Sequence, residues 1–140
     1  ILVPNLSEKY HTTPVHSIEE ITLLKERFPD SIRQFNAYHE NVLVAGTTIF
    51  ETHIVAHAQY ISGNSESSKL GSLDALFAHL IRDVYSKKKF LDFGISNENE
   101  GKKVNSGLQF WKEGFGARTV TQDFYRITTN TFNKLETVML

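Results

Sequence analysis

Between Ile32 and Ser62 the chain carries three β-prone runs with almost nothing between them. The runs are Ile32 to His39, Val42 to Glu51 and His53 to Ser62, separated only by Glu40-Asn41 and Thr52. Connections that short leave no room for a crossover, so sequential strands must be antiparallel neighbours. The runs therefore predict a three-stranded meander. Gly46 interrupts the second run, where a glycine marks a bulge or a close backbone approach.

Helical signals flank the meander. Ser17-Ile18-Glu19-Glu20 has capping-box spacing, with Glu20 able to reach back to the Ser17 N–H. Ile18, Ile21, Leu24 and Phe28 then share a helical face, and Pro29 ends the helix because the residue before proline avoids the α region. After a serine-rich loop from Gly63 to Gly71, Ser72 is expected to cap a second helix. Its apolar stripe is Leu73, Leu76, Phe77, Leu80, Ile81 and Val84, and Lys87 to Lys89 suit the negative end of its dipole.

Phe90 to Ile95 reads as a short buried strand. A helix crossing between it and the meander makes it parallel to its partner. Asn97 to Lys103 reads as a loop, and Asn105 as the cap of a last helix carrying Leu108, Trp111 and Phe115. Arg118 to Thr128, rich in Thr, Val, Phe and Tyr, predicts a final strand. Residues 1–16, with Pro4 and Pro14, read as an irregular lead-in and residues 129–140 as a tail, leaving one domain over 17–128.

Composition narrows the function classes. A net charge of −1 supplies no global basic field, which argues against DNA as a partner and makes tRNA a poor one. Cysteine is absent, so a disulfide framework, a thiol nucleophile and a thiolate zinc site are excluded. No apolar run approaches the roughly 20 residues that span a bilayer. No signal-peptide pattern opens the chain, and a cytoplasmic location is expected.

The chemistry-bearing candidates lie around the fourth strand. Asp92 sits among Phe90, Leu91, Phe93, Gly94 and Ile95. A carboxylate there needs a partner or an open seam, because burying it alone is costly. His57 lies within the third strand, and an imidazole suits removal of an amine proton near neutral pH. Gln59 and Tyr60 end the same strand. His53 and His57 stand four residues apart, roughly 13 Å along a strand, too far to share one metal ion. Ser65, Ser67 and Ser68 lack the Gly-x-Ser-x-Gly elbow of a serine hydrolase. Each candidate also has a plain reading: a hydrogen-bonded core polar group, edge packing, or a helix cap at Asn105.

The element order, with Tyr38 to Gly46 (YHENVLVAG) as a polar turn leading into a "vvG" strand, resembles a GNAT-superfamily acyltransferase domain. Leu91-Asp92-Phe93-Gly94-Ile95 followed by Gly107 to Gly116 (GLQFWKEGFG) looks like the FemAB-like branch of that superfamily. The resemblance covers roughly residues 17–127. It implies an α+β GNAT-like acyl-CoA N-acyltransferase fold: a mixed sheet with an antiparallel meander, a crossover helix and a splayed parallel pair. FemAB-like proteins usually carry two such domains in tandem. The chain resembles the second, so a missing N-terminal GNAT-like domain is expected.

What the resemblance implies is transfer of an acyl group to a small-molecule or peptide amine. The donor would be acetyl-CoA or another acyl-CoA, less readily aminoacyl-tRNA, with no metal involved. The acyl arm would lie between strands 53–62 and 90–95, against Tyr60 and Ile61, with Asn97 and Asn105 nearby. The pyrophosphate would meet Lys69, Gly71 and Ser72, where this chain has one glycine and the superfamily's loop has two. His57 and Asp92 would handle the amine proton. Where many members carry a tyrosine that protonates the departing thiolate, this chain has Phe110, so the acid role is left unfilled or passes to Tyr125 or Tyr60. The alternative is a non-catalytic GNAT-like scaffold or ligand-binding domain.

Overall fold

A computed structural model describes residues 2–3 and 13–130 of the 140-residue chain. Helix α1 (Ile18–Arg27) leads into strands β1 (Ile32–His39), β2 (Val42–Glu51) and β3 (Val55–Gly63). A four-residue helix α2 (Ser67–Leu70) and helix α3 (Ser72–His79) follow, and α3 runs on into a π-helical turn, Leu80–Val84. Strand β4 (Phe90–Asp92), the small hairpin β5 (Asn97–Glu98) and β6 (Lys103–Val104), and helix α4 (Ser106–Gly114) complete the order.

The meander forms as the short gaps require. The main sheet has the order β1-β2-β3-β4, antiparallel at the first two joints and parallel at the third. Glu40 and Asn41 both take positive φ, 48° and 64°, as the two central residues of a type I′ hairpin turn must. Gly46 is a close approach: a Cβ there would stand 3.0 Å from Asn36 Oδ1. The Ser17 capping box is present in both directions, and Asn105 caps α4 through the Leu108 N–H.

The core lies on one face of the sheet. Ala45, Ile49, Ala56 and Ala58 meet Leu76, Phe77 and Leu80 of the crossover helix. Small side chains on β3 let that helix approach closely. Phe77 is fully buried and its ring touches Phe93, Trp111 and Phe115, with centroids 5.1, 5.4 and 6.1 Å away. Trp111 and Phe115 are thus core residues. On the opposite face α1 gives only partial cover, with Ile21 and Leu24 half-buried and Ile18 exposed.

Several expectations are corrected. Gly71, not Ser72, is the N-cap of α3; it takes φ 59°, and Ser72 becomes the first helical residue. The helix does not stay α-helical through Val84, because the Tyr85 N–H bonds the Leu80 carbonyl, five residues back. The 97–103 segment is a two-stranded hairpin rather than a plain loop. The third strand begins at Val55, so His53 lies in the connection before it. The 90–95 strand is an edge strand, with Phe90 53% exposed and only residues 90–92 paired.

Arg118 to Thr128 is not a strand. Among the described residues the segment pairs with no strand, and Val120, Phe124, Tyr125 and Ile127 are more than 80% exposed. β-Propensity needs a partner edge, and β4 offers three residues. The tail beyond residue 130 and most of the lead-in, Pro4 included, lie outside the described residues.

The π-turn brings Tyr85 over the far end of β2. Its hydroxyl donates to Glu51 Oε1 at 2.6 Å, which holds the phenol above its ordinary range through burial first and that carboxylate second. Lys88 stands 3.3 Å from Glu51 Oε2 and Arg33 3.5 Å from Oε1, on a carboxylate that is only 12% exposed. Glu51→Ala therefore strands a buried hydroxyl and two cations. Its expected effect is a loss of about 1–3 kcal/mol, measured as a lower urea midpoint at unchanged slope. An unmoved midpoint would mean that packing alone holds the turn.

Candidate active site

β3 and β4 pair for three residues and then part. The register is Val55 with Phe90, Ala56 with Leu91 and His57 with Asp92, yet β3 runs on to Gly63. Among the described residues, Ala58 to Ile61 thus have no strand partner on their β4 side. Against β2, the register slips where Ile49 faces Ala58 and Thr48 faces Tyr60, so Gln59 is an extra residue. Such a bulge bends its strand and leaves the extra residue out of the ladder. The bulge at Gln59 falls two residues beyond His57, the last residue of β3 paired with β4. Pairing between strands 53–62 and 90–95 thus ends after three rungs, as a splayed pair requires, while Gly94 stays beside β3, where an added Cβ would stand 3.9 Å from the Ala58 carbonyl oxygen.

The bulge also decides which side chains share a face. Ala56 and Ala58 point to the core, so His57 points to the α1 face. The extra residue reverses the alternation, and Tyr60 joins His57 on that face. Their partners on β2, Phe50 and Thr48, are two residues apart, so the two side chains rise roughly 7 Å apart.

His57 and Asp92 form the centre of the arrangement. His57 Nδ1 lies 2.8 Å from Asp92 Oδ2, and the Gly94 N–H donates to Oδ1 at 2.8 Å. Partial burial pushes the Asp92 carboxyl up. The Gly94 N–H, the His57 hydrogen bond and the charges of His57 and Lys112 outweigh it and hold the group below its ordinary value. An ionised carboxylate only accepts, so it fixes the proton on Nδ1 and leaves the Nε2 lone pair of neutral His57 as a base.

Lys112 is the residue that sequence reasoning passed over. It is 6% exposed, and its Nζ donates to the carbonyls of Gly94 at 2.9 Å and Ile95 at 2.6 Å. Burial lowers its affinity for a proton, and the Asp92 charge partly restores it. The signal was in the pattern: with Leu108, Trp111 and Phe115, Lys112 fills the i+4 slot of an i, i+3, i+4, i+7 stripe. A lysine on the buried face of a helix must have acceptors.

A cavity of about 340 Å³ opens between α1 and the sheet on the His57 side. Tyr60 and Ser62 wall it from β3, Gln34 and Asn36 from β1, and Ile18 and Ile21 from α1. The Tyr60 hydroxyl accepts from the His16 N–H at 3.1 Å and lies 2.8 Å from His16 Nδ1.

The remaining candidates are spread along the seam. Ile61 packs against the core, and the Tyr60 carbonyl accepts from Thr47 Oγ1. Lys69 is exposed, the Gly71 N–H bonds the Ser67 carbonyl, and the Ser72 and Ser67 hydroxyls lie 2.7 Å apart. Asn97 Nδ2 donates to Gly101, while Asn105 donates to Glu98 besides capping α4. Tyr125 is 83% exposed and its hydroxyl donates to Asp123 Oδ2, outside the His57–Asp92 group. Phe110 is also exposed. Among the described residues no group of three or more His, Cys, Asp or Glu could hold a metal ion, and no helix is long and apolar enough to cross a membrane.

No family model matches the sequence, and no curated protein matches it. Solved structures do. AAC(6′)-Iy, in complex with a CoA-containing bisubstrate analogue, superposes with a TM-score of 0.61 at 16% identity, covering 87% of this chain and 86% of that one. An aminoglycoside acetyltransferase from an uncultured soil metagenomic sample, bound to sisomicin, gives 0.57 at 15% identity over 91% and 86%. An integron cassette protein from the V. cholerae mobile metagenome gives 0.55 at 15% identity over 98% and 88%. Likeness at these identities speaks for the fold: the chain has the GNAT acetyltransferase architecture.

Because its folded-state value is depressed, Asp92 stabilises the protein above its unfolded value of about 3.9, and that contribution fades as pH falls through the folded value. The stability difference between wild type and Asp92→Asn should accordingly be constant at neutral pH and shrink below about pH 4. Urea melts at a series of pH values measure it. A difference that persists into strong acid would show that Asp92 is not held as a carboxylate.

Proposed function

We propose that this protein is an N-acyltransferase that moves an acyl group from acyl-CoA to a small-molecule amine. The observation that carries the reading is the parting of β3 from β4 immediately beyond the His57–Asp92 rung. It leaves Ala58 to Ile61 of β3 without a β4 partner, among the described residues, beside a poised base, on a fold that matches CoA-dependent acetyltransferases in architecture.

The acyl thioester lies along the unpaired side of β3, past Tyr60 and Ile61. The first-turn amides of α3, with Lys69 and the neighbourhood of Gly71 and Ser72, meet its phosphates. The acceptor occupies the cavity under α1. His57 Nε2 takes a proton from the acceptor amine while Asp92 holds the ring and balances the imidazolium. The amine nitrogen bonds to the thioester carbon, and an N–H of β3 near the bulge receives the oxyanion. The carbon–sulfur bond then breaks. A thiol with an ordinary value near 8.5 is a fair leaving group, and the imidazolium of His57 can return the proton to it. That route leaves Tyr125 and the His16-bonded Tyr60 without an acid role to fill.

Motif contacts support a FemAB-like placement. Phe93 stacks on Phe115 and meets Trp111 edge-on, which joins the "DFG" and "FWKEGFG" segments in one cluster. A tandem arrangement with a further GNAT-like domain belongs to the same proposal. One observation favours the non-catalytic alternative: residues 67–70 form a helix that takes the Gly71 N–H for itself.

Calorimetry with acetyl-CoA, followed by thiol-release assays across alkylamines, arylalkylamines, aminoglycosides and peptide N-termini, tests the reading. Binding in the micromolar to millimolar range is expected, since substrate constants generally fall there. His57→Ala should lower kcat by about 10²–10⁴-fold without weakening acetyl-CoA binding. Absence of acetyl-CoA binding would leave the scaffold alternative.

A further inference from the structure

We infer that Lys112 is a positioning residue for this site, holding the end of β4 in the turned-away conformation that opens the seam and sets Asp92 against His57. The inference rests on the acyl-transfer reading for its consequence in turnover, though its geometry stands without it.

The case begins with the direction of two carbonyls. Along an extended strand, successive carbonyls point to opposite sides. The Gly94 and Ile95 carbonyls instead converge on one ammonium, at 2.9 and 2.6 Å. That convergence requires a chain no longer extended at Ile95, whose dihedrals set the angle between the two carbonyls, and Gly94 just before it takes φ 69°, in the left-handed region. Had β4 continued straight alongside β3, the same two oxygens would diverge, and a single Nζ could not accept both roles. Lys112 therefore recognises the turned chain and stabilises it over the straight one.

The turn has a second effect one bond away. The Gly94 N–H, fixed by that turn, donates to Asp92 Oδ1, and Asp92 Oδ2 meets His57 Nδ1 at 2.8 Å. A line of contacts runs from Lys112 to the Gly94 carbonyl, across the Gly94 Cα to its N–H, and through Asp92 to the imidazole. The groups facing Asp92 are His57 from β3, Lys112 from α4 and the Gly94 amide from its own turn.

A buried lysine is a poor choice for filling space. Its slot on α4 adjoins Trp111 and lies on the stripe with Phe115, where methionine or leucine would pack without desolvating an ammonium. An interior cation is explained by what it binds, and what it binds is the exit of the strand that carries Asp92. Gly94 complements it: an added Cβ would be strained at that φ and would stand 3.7 Å from His57 Cε1.

The experiment compares wild type, Lys112→Met and Lys112→Arg as full chains, with three readouts. In the methionine variant the Gly94 amide should exchange with solvent about tenfold faster or more as its local opening becomes easier. The Asp92 carboxyl resonance should titrate at higher pH than in wild type. With acetyl-CoA and an amine from the panel above, kcat should fall about 10–100-fold while the acetyl-CoA KM stays within about threefold. Lys112→Arg, which keeps charge and paired donors, should recover most of the kcat and the Asp92 titration. An unchanged Gly94 exchange rate and an unchanged kcat in Lys112→Met would overturn the inference. So would a loss of kcat that merely tracks the unfolded fraction and is not recovered by arginine. If wild type neither binds nor turns over acetyl-CoA, the acyl-transfer reading fails, and the Gly94 and Asp92 measurements still decide the role of Lys112. If Lys112→Met does not fold, Lys112→Gln takes its place with the same criteria.

Discussion

The hydrogen bond between His57 and Asp92 closes the last rung at which β3 and β4 still pair. Everything that makes this chain more than a small α+β domain follows from where that rung sits. A parallel pair that stops after three residues leaves backbone donors and acceptors on both strands without a ladder partner. Such an ending is stable only if other groups satisfy them. Asp92 satisfies the Gly94 amide, Lys112 the next two carbonyls, and Thr47 the Tyr60 carbonyl on the bulged strand. The seam is a built feature of the sheet rather than a fray at its edge.

The scaffold around it is rigid on the core side and open on the other. Phe77, Phe93, Trp111 and Phe115 interlock behind the seam, and the Trp111 indole donates to Asp74 in the first turn of α3 at 2.6 Å. That contact ties α4 to the helix whose N-terminus borders the gap. Gly63 makes room for α2 just before that helix, because a Cβ there would collide with the Ser67 side chain. The α1 face has no such packing. It presents a cavity lined by amides, hydroxyls and aliphatic groups, which Tyr60 walls from the same face of β3 that carries His57.

Much of this was legible from residues alone. Gaps of one or two residues dictated the meander, the capping box placed α1, and the stripe from Leu73 to Val84 placed the core helix. His57 and Asp92 each drew attention as a polar group in an apolar run, but nothing in the sequence said that they touch. Their contact depends on the parallel register, which is set by the crossover helix and has no local signature. The bulge at Gln59 was invisible for a similar reason: an extra residue shows only against its partner strand. Arg118 to Thr128 misled because composition reports a preference for strands, not an available edge. Lys112 was passed over, since lysines are usually solvated; its position in the stripe carried the information.

The missing acid at position 110 changes meaning in this setting. A tyrosine is needed at that place when the base is remote from the leaving group or cannot give its proton back. On the proposed mechanism the base is the His57 imidazole, held in one tautomer by the ionised Asp92 carboxylate at the last rung that β3 and β4 share. The same imidazole that takes the amine proton would return it to sulfur, so that mechanism calls for no second residue. Phe110, 80% exposed on α4, is then a position released from a chemical role. The substitution that reads as a loss in the sequence is consistent with a site in which His57 performs both proton transfers.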